Sequence, residues 1–374
     1  MSKPPALQVP LPVMVAVFNQ KGGVAKTTTA CNLAVCLTAF GYRVLLVDLD
    51  TQGNATSSFG FAPLPASGAF EVITGRAKVS EVALDTAYEG LWLLPATMSL
   101  RDNDHLLAHA GRRRGLLESR LAETGVDMVI VDCPPALAAA TATALASASA
   151  VLMPVRPDPF AHEGLVNTWY EIKRIRELVN VQLGSAGILL TMSGSEATGD
   201  DVAQVIRAEF GEQVYGVEIA TDPKVAEAAQ LSLPVAVLDP DGLAGRAYVD
   251  ATQELLNRLQ QQNRPGTHLR PALGRDEALN RLREWRAITH AALLRMPSSA
   301  EGWAKRASRA SGDPDDDDDD NGDEDDYFGV VAPPKPAPSG RKLGLWPLLA
   351  ALALGMGIEA LTGLLRNLVI AAGQ

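Results

Sequence analysis

Aromatic side chains are scarce in this sequence, at 5% of 374 residues. Apolar residues reach 47%, so a sizeable core is available, but one rich in alanine and leucine favours helix-rich α/β packing over an all-β sandwich. Cysteine is scarce as well. Cys31, Cys36 and Cys133 show no metal-ligand spacing, and Cys31 and Cys36 are five apart in a predicted helix. Buried thiols in a reducing cytosol are therefore expected, not a disulfide. The first twelve residues have no long apolar run behind a basic patch, so no secretory signal is expected. No internal repeat is present, and no net charge remains once one segment is set aside. The formal charge of −11 comes from eleven acids within Asp313–Asp326; without them 33 acids face 33 Lys and Arg. Bulk charge thus says nothing against nucleic-acid binding.

What is present is an alternation. Apolar runs at Val13–Phe18, Arg43–Val47, Leu91–Leu94, Asp127–Val131, Ala150–Val155, Ala186–Thr191 and Pro234–Leu238 read as strands. Between them lie helical patterns up to Phe40, from Leu100 to Glu123, and centred near 168, 205, 226 and 252. Strands alternating with helices imply βαβ units and a doubly wound, mostly parallel α/β sheet. The chain divides into an N-terminal arm (1–12), a nucleotide-binding domain (13–262) and a basic helical extension (263–310). An acidic and Pro-rich linker (311–342), expected to be disordered, and an apolar C-terminal helix (343–374) follow.

Lys21–Thr28 (KGGVAKTT) follows a strand and opens a helix, the context a phosphate-binding loop needs. Gly22, Gly23, Val24 and Ala25 let backbone N–H groups converge on phosphate oxygens, and the helix N-terminus adds positive partial charge. Lys26 is placed to reach the β and γ phosphates, and the Thr27 hydroxyl to hold Mg²⁺, with Thr28 completing the loop. Asp48 and Asp50 end the second strand, and Asp132 ends another. Any one of them alone could be a cap or turn residue. At the carboxyl ends of doubly wound strands they face the ligand crevice, where Asp132 suits Mg²⁺ and one of the other pair a positioned water.

Four blocks carry a further resemblance: NQKGGVAKTTTACNLA (Asn19–Ala34), VLLVDLDTQGNATSSFG (Val44–Gly60), DMVIVDCPPAL (Asp127–Leu137) and PVRPDPFAHEGL (Pro154–Leu165). Together with a fainter one at Ile219–Val235, they resemble the ParA/Soj-type partition ATPases, within the deviant Walker A group of P-loop NTPases that also holds MinD. The resemblance covers about 13–260. It implies ATP and Mg²⁺ as cofactors, Lys21 as a signature lysine reaching the partner subunit's phosphates in an ATP-dependent homodimer, and Lys26 on its own phosphates. It implies Thr27 and Asp132 around Mg²⁺ with Asp48 in support, and Asp50 positioning the attacking water. Ala25 stands where the family has glycine, tolerable only at φ < 0. Thr51 replaces a proline, and Thr221-Asp222 replaces an arginine-asparagine pair that touches the base.

The family function implied is a DNA-dependent switch: dimers on non-specific DNA, released when a ParB-like or other cargo adaptor stimulates hydrolysis. Arg156, Lys173, Arg174, Arg176, Lys224 and the basic 264–309 segment are candidate DNA contacts, weighed against ordinary solvated charge. No long N-terminal helix-turn-helix extension precedes the domain, so self-repression at an operator is not expected. The acidic run reads as a solubilising spacer or as a polyanion competing with DNA. Leu345–Leu365 holds 21 residues and one charge, Glu359. That length can span a bilayer, while Glu359, Thr362 and Arg366 share a stripe suited to an interfacial or bundled helix. Membrane association, cargo docking and packing on the domain stay open. So do two other functions: a MinD-like membrane-cycling ATPase, and a metabolic amidoligase on the same fold, which has no use for Lys21.

Overall fold

The computed structural model describes residues 11–102, 107, 116–194, 197–262 and 269–295. The acidic run, the Pro-rich linker and the apolar segment 343–374 lie outside the described residues. Eight strands form one sheet: β1 (Val13–Val17), β2 (Val44–Asp48), β3 (Leu84–Asp85), β4 (Leu91–Leu94), β5 (Met128–Asp132), β6 (Ala150–Val155), β7 (Gly184–Ser193) and β8 (Ile219–Ala220). Their order is β3-β4-β2-β5-β1-β6-β7-β8. All neighbours run parallel except β3 and β4. The four central strands are buried along their whole length, as continuous Val/Leu/Ile runs covered on both faces require.

The helices used below are α1 (Lys26–Ala39), α2 (Asn54–Ser57), α3 (Ala161–Leu178), α4 (Pro223–Gln230), α5 (Val235–Leu238), α6 (Leu243–Gln261) and α7 (Arg275–Arg295). One core, on the α1 side, holds Val15, Leu33, Leu37, Leu46, Ile130 and Leu255. The other, across the sheet, holds Met14, Phe18, Leu45, Phe70, Val129 and Leu165. Nearly every side chain of α1 is buried, so this helix is clad on all sides.

One local expectation changes. Pro234–Leu238 is not a strand: Val235–Leu238 makes a single helical turn. Four apolar residues do not distinguish the two states by pattern alone; here Pro234 fixes φ at −64° and Asn32 Oδ1 accepts the Ala236 N–H at 2.9 Å. Of the helix expected over Leu100–Glu123, Met98–Asp102 and Leu116–Leu121 are helical, the latter ending in a tight turn before Gly125 at φ 68°, and 103–106 and 108–115 lie outside the described residues. The short edge strands β3 and β8 have no clear signature in the sequence.

The basic segment contributes to the fold. α7 lies against α1, α5 and α6, burying Ala278, Leu279 and Leu282 in the α1-side core. Its approach is pinned by Leu273 N–H to Phe40 O at 2.9 Å and by Tyr42 hydroxyl to Arg270 O at 2.8 Å. Met1–Arg295 forms one compact unit. Among the described residues no helix is long and apolar enough to cross a membrane.

Candidate phosphate-binding site

Register alone assembles the carboxylates. Val17, the last residue of β1, pairs with Asp132, and Asp132 pairs with Asp48 across β5 and β2. The phosphate loop leaves β1 at that level, between two strands that end in an aspartate or feed the crevice. This is the switch point where open α/β sheets bind ligands.

The loop is held from four sides. Asn19 donates to Pro154 O at 2.8 Å and accepts the Lys21 N–H at 3.0 Å. The Thr168 hydroxyl on α3 accepts the Gln20 N–H at 3.3 Å and sits 3.2 Å from Asn19 Oδ1. Thr191 on β7 donates to Val24 O at 3.2 Å, and Asn32 donates to Thr28 O at 2.8 Å. These four residues escape sequence reasoning except through their polarity in otherwise apolar runs.

Ala25 has φ 59° and ψ 32°, so the negative φ that would make its methyl tolerable is not adopted. A left-handed non-glycine residue costs about 1–2 kcal/mol. Packing and the loop's hydrogen bonds must hold it there. Met192, at φ 54°, is a second such residue.

Lys26 is 8% exposed, and its Nζ donates to Lys21 O at 2.8 Å. Burial lowers its pKa, opposed by Asp132 and Asp50. Lys21 faces elsewhere: its ammonium is ion-paired with Asp158, on the turn after β6. Asp158 also accepts the Phe160 N–H at 3.0 Å. Nothing in the sequence singles out Asp158.

The three carboxylates differ in environment. Asp48 is fully buried, and its oxygens are taken by Asp50 N–H (3.1 Å), Thr56 N–H (2.8 Å) and the Thr56 hydroxyl (2.7 Å). It anchors the segment that carries Asp50, and burial still pushes its pKa up to about 6. Asp50 is half-buried and accepts the Gln52 N–H at 3.0 Å. Asp132 is fully buried with neither carboxylate oxygen hydrogen-bonded. Burial first, then the Asp48 charge, raises its pKa, while the approach of the Thr27 hydroxyl acts the other way without closing a hydrogen bond. An orphaned buried carboxylate beside a hydroxyl is expensive alone and suited to a divalent cation. Among the described residues no group of three or more His, Cys, Asp or Glu could hold a metal. A cation held by Asp132 and Thr27 alone would therefore need further oxygens from a bound nucleotide, as Mg²⁺ at nucleotide sites commonly does.

Beside the loop opens a cavity of about 380 Å³, lined by Ala25, Thr28, Arg156, Met192, Thr221, Asp222, Val225 and Tyr248 among others. Its position next to Thr28 suits the nucleoside. Asp222 accepts Lys224 N–H at 2.9 Å as the cap of α4 and Ala244 N–H at 3.0 Å. Its carboxylate therefore braces two helices where the family pair would touch the base. The cysteines are structural: Cys31, Cys36 and Cys133 are buried and free, and burial raises all three thiols, Cys36 to about 12.

Several candidate DNA cations have partners at hand. Lys224 pairs with Glu227 at 2.6 Å, Arg174 with Glu171 at 3.4 Å and Lys173 with Glu177 at 4.0 Å. In the basic segment, Arg270 meets Asp127 at 2.9 Å, Arg275 meets Asp250 at 2.5 Å and Arg283 meets Asp241 at 2.6 Å.

Comparison with known proteins agrees with this geometry. The AAA domain family model matches residues 13–185. The chromosome partitioning protein ParA of Caulobacter vibrioides is 36% identical over 251 residues, 66% of this chain and 94% of that protein. The chromosome-partitioning ATPase Soj of Thermus thermophilus is 37% identical over 248 residues, 66% of this chain and 96% of that protein. A solved structure described as cobyrinic acid a,c-diamide synthase from Mycobacterium smegmatis, with bound ADP and magnesium, is 34% identical. Its TM-score is 0.52, over 62% of this chain and 95% of that one. The loop, the strand-end aspartates and relatives aligned over almost their whole length lead to one conclusion: the chain belongs to the ParA/Soj family of P-loop partitioning ATPases, whose cofactors are ATP and Mg²⁺.

Proposed function

We propose that this protein is an ATP-driven positioning ATPase that dimerises on ATP, binds DNA without sequence preference and segregates a cargo through partner-stimulated hydrolysis. The observation that carries this reading is the division of labour between two loop lysines. Lys26 is buried over its own loop. Lys21 is held at the loop mouth by Asp158, its side chain 28% exposed, and in this reading it serves the phosphates of a second subunit.

In this reading the loop N–H groups and Lys26 bind the phosphates, and Thr27 and Asp132 hold Mg²⁺. When bound, that ion neutralises charge developing on the transferring phosphoryl oxygens. Asp50 orients water for in-line attack, and Asp48 keeps the Asp50 segment in place through Thr56. Lys21 leaves Asp158 to meet the partner's phosphates, so dimer formation and completion of the site are one event.

The cargo adaptor would be a ParB-like protein or a functional equivalent. DNA binding would use cations not committed to the fold, which removes Arg270, Arg275 and Arg283 from the candidates. The amidoligase reading draws on one described neighbour but leaves Lys21 without a role. The deciding experiment measures ATP hydrolysis alone, with non-specific DNA and with anionic vesicles. Stimulation by DNA is expected; stimulation by vesicles alone would favour the MinD-like membrane cycle, and glutamine-dependent turnover of a small carboxylate would favour the amidoligase.

A further inference from the structure

α7 falls in the segment that the sequence reads as an extension of the nucleotide-binding domain, yet it reaches toward the segment that carries Asp50. One turn after Leu282, the Trp285 ring lies 5.2 Å from the Tyr88 ring, tilted by 53°. Tyr88 is 3% exposed and meets Phe59 edge-on at 6.0 Å. Phe59 follows α2 directly, in the same block as Asp50 and Thr56. Ser58 beside it donates to Asn54 O at 2.8 Å.

The segment Asp50–Phe59 is therefore anchored at two places, which the turn of α2 with its buried Ala55 and Thr56 joins. Asp48 grips Thr56 and the Asp50 N–H. At its end Phe59 is seated on Tyr88, and Tyr88 on Trp285. Between them Gln52 and Asn54 are exposed. Edge-on and tilted ring contacts have preferred geometries, so the last ring constrains the orientation of the first. Leu279 and Leu282 bury α7 in the α1-side core, and Trp285 packs at its edge.

We infer that Trp285 and Tyr88 are positioning residues for hydrolysis. They act through Phe59 to set the segment that carries Asp50, and so make turnover depend on the appended helix. This rests on the reading of Asp50 as the residue that orients the attacking water. A misplacement of about 1 Å remote from the chemistry can cost on the order of 100-fold in rate; loss of one ring from a segment with a second anchor is expected to cost about tenfold.

The test uses the full chain, comparing Trp285→Ala, Trp285→Phe and Tyr88→Leu by steady-state ATP hydrolysis, binding of a fluorescent ATP analogue and amide hydrogen exchange. The expected result for Trp285→Ala and Tyr88→Leu is a kcat lower by about tenfold, analogue binding within about twofold of wild type, and faster exchange at 53–60 but not in β5. Trp285→Phe keeps a ring and is expected to restore most of the turnover. A Trp285→Ala protein with wild-type kcat overturns the inference. So does a change confined to KM, an equal loss with phenylalanine, or faster exchange spread evenly over the domain. If Trp285→Ala does not fold, Tyr88→Leu and Trp285→Phe decide by the same criteria. Failure of the underlying reading has a different signature: wild-type hydrolysis that Asp50→Asn leaves unchanged.

Discussion

At the residue scale, two side chains sit where their own chemistry opposes them, and each gives a prediction. Ala25 holds a left-handed backbone at φ 59°. Glycine there removes about 1–2 kcal/mol of strain but gives back about 0.5–1 kcal/mol of unfolded-chain entropy. Ala25→Gly is thus expected to raise stability by roughly 0.5–1 kcal/mol in urea denaturation, and a destabilised variant would contradict the strain. Asp132 buries a carboxylate without a hydrogen bond. Asp132→Asn is expected to stabilise the nucleotide-free protein while abolishing the extra thermal shift that Mg²⁺ adds to ATP. A full Mg²⁺ increment in that variant would remove Asp132 from the metal site. The sequence showed Lys21, Lys26, Thr27, Asp48, Asp50 and Asp132 because a loop motif and strand-end aspartates are local patterns. Asp158 and Thr168 were not legible, since each matters only through a fold contact more than 130 residues away.

At the element scale, part of the basic segment's charge is spent inside the fold. Ten Lys and Arg lie within Arg264–Arg309, candidates for DNA contact, and of these Arg270, Arg275 and Arg283 tie α7 and its approach to Asp127, Asp250 and Asp241. Pairing partners far along the chain cannot be read from composition. The clamp is titratable. Burial tends to raise the Asp127 pKa, but hydrogen bonds from Arg43 and the charges of Arg270 and Arg43 outweigh it and hold the carboxyl below its usual range. A depressed folded pKa contributes stability that is present above the unfolded value of about 3.9 and lost as pH falls through the folded one. Asp48, raised by burial to about 6, has the opposite sign: stability falls as pH rises from about 4 to about 6. The expected difference between wild type and Asp127→Asn is therefore constant at neutral pH and shrinks only below about pH 4, measured as urea midpoints. A difference independent of pH down to 2 would show that the clamp is not electrostatic.

At the scale of the whole molecule, the alternation of strands and helices made the doubly wound sheet legible, because parallel buried strands write themselves as continuous apolar runs. Pro234–Leu238 was illegible for the same reason in reverse: a buried apolar turn writes the same letters as a strand, and only the capture of its Ala236 N–H by Asn32 decides between them. The assembled site places a buried lysine and a half-exposed lysine in one loop, and the central claim is that the second belongs to a partner. The direct measurement is the mass of the particle in solution by light scattering, with and without ATP·Mg²⁺, for wild type and Lys21→Ala. The account predicts a doubling of mass with ATP in the wild type and none in Lys21→Ala, which still binds ATP. A Lys21→Ala protein that dimerises on ATP as wild type does, or a wild type that stays monomeric with saturating ATP, would contradict it.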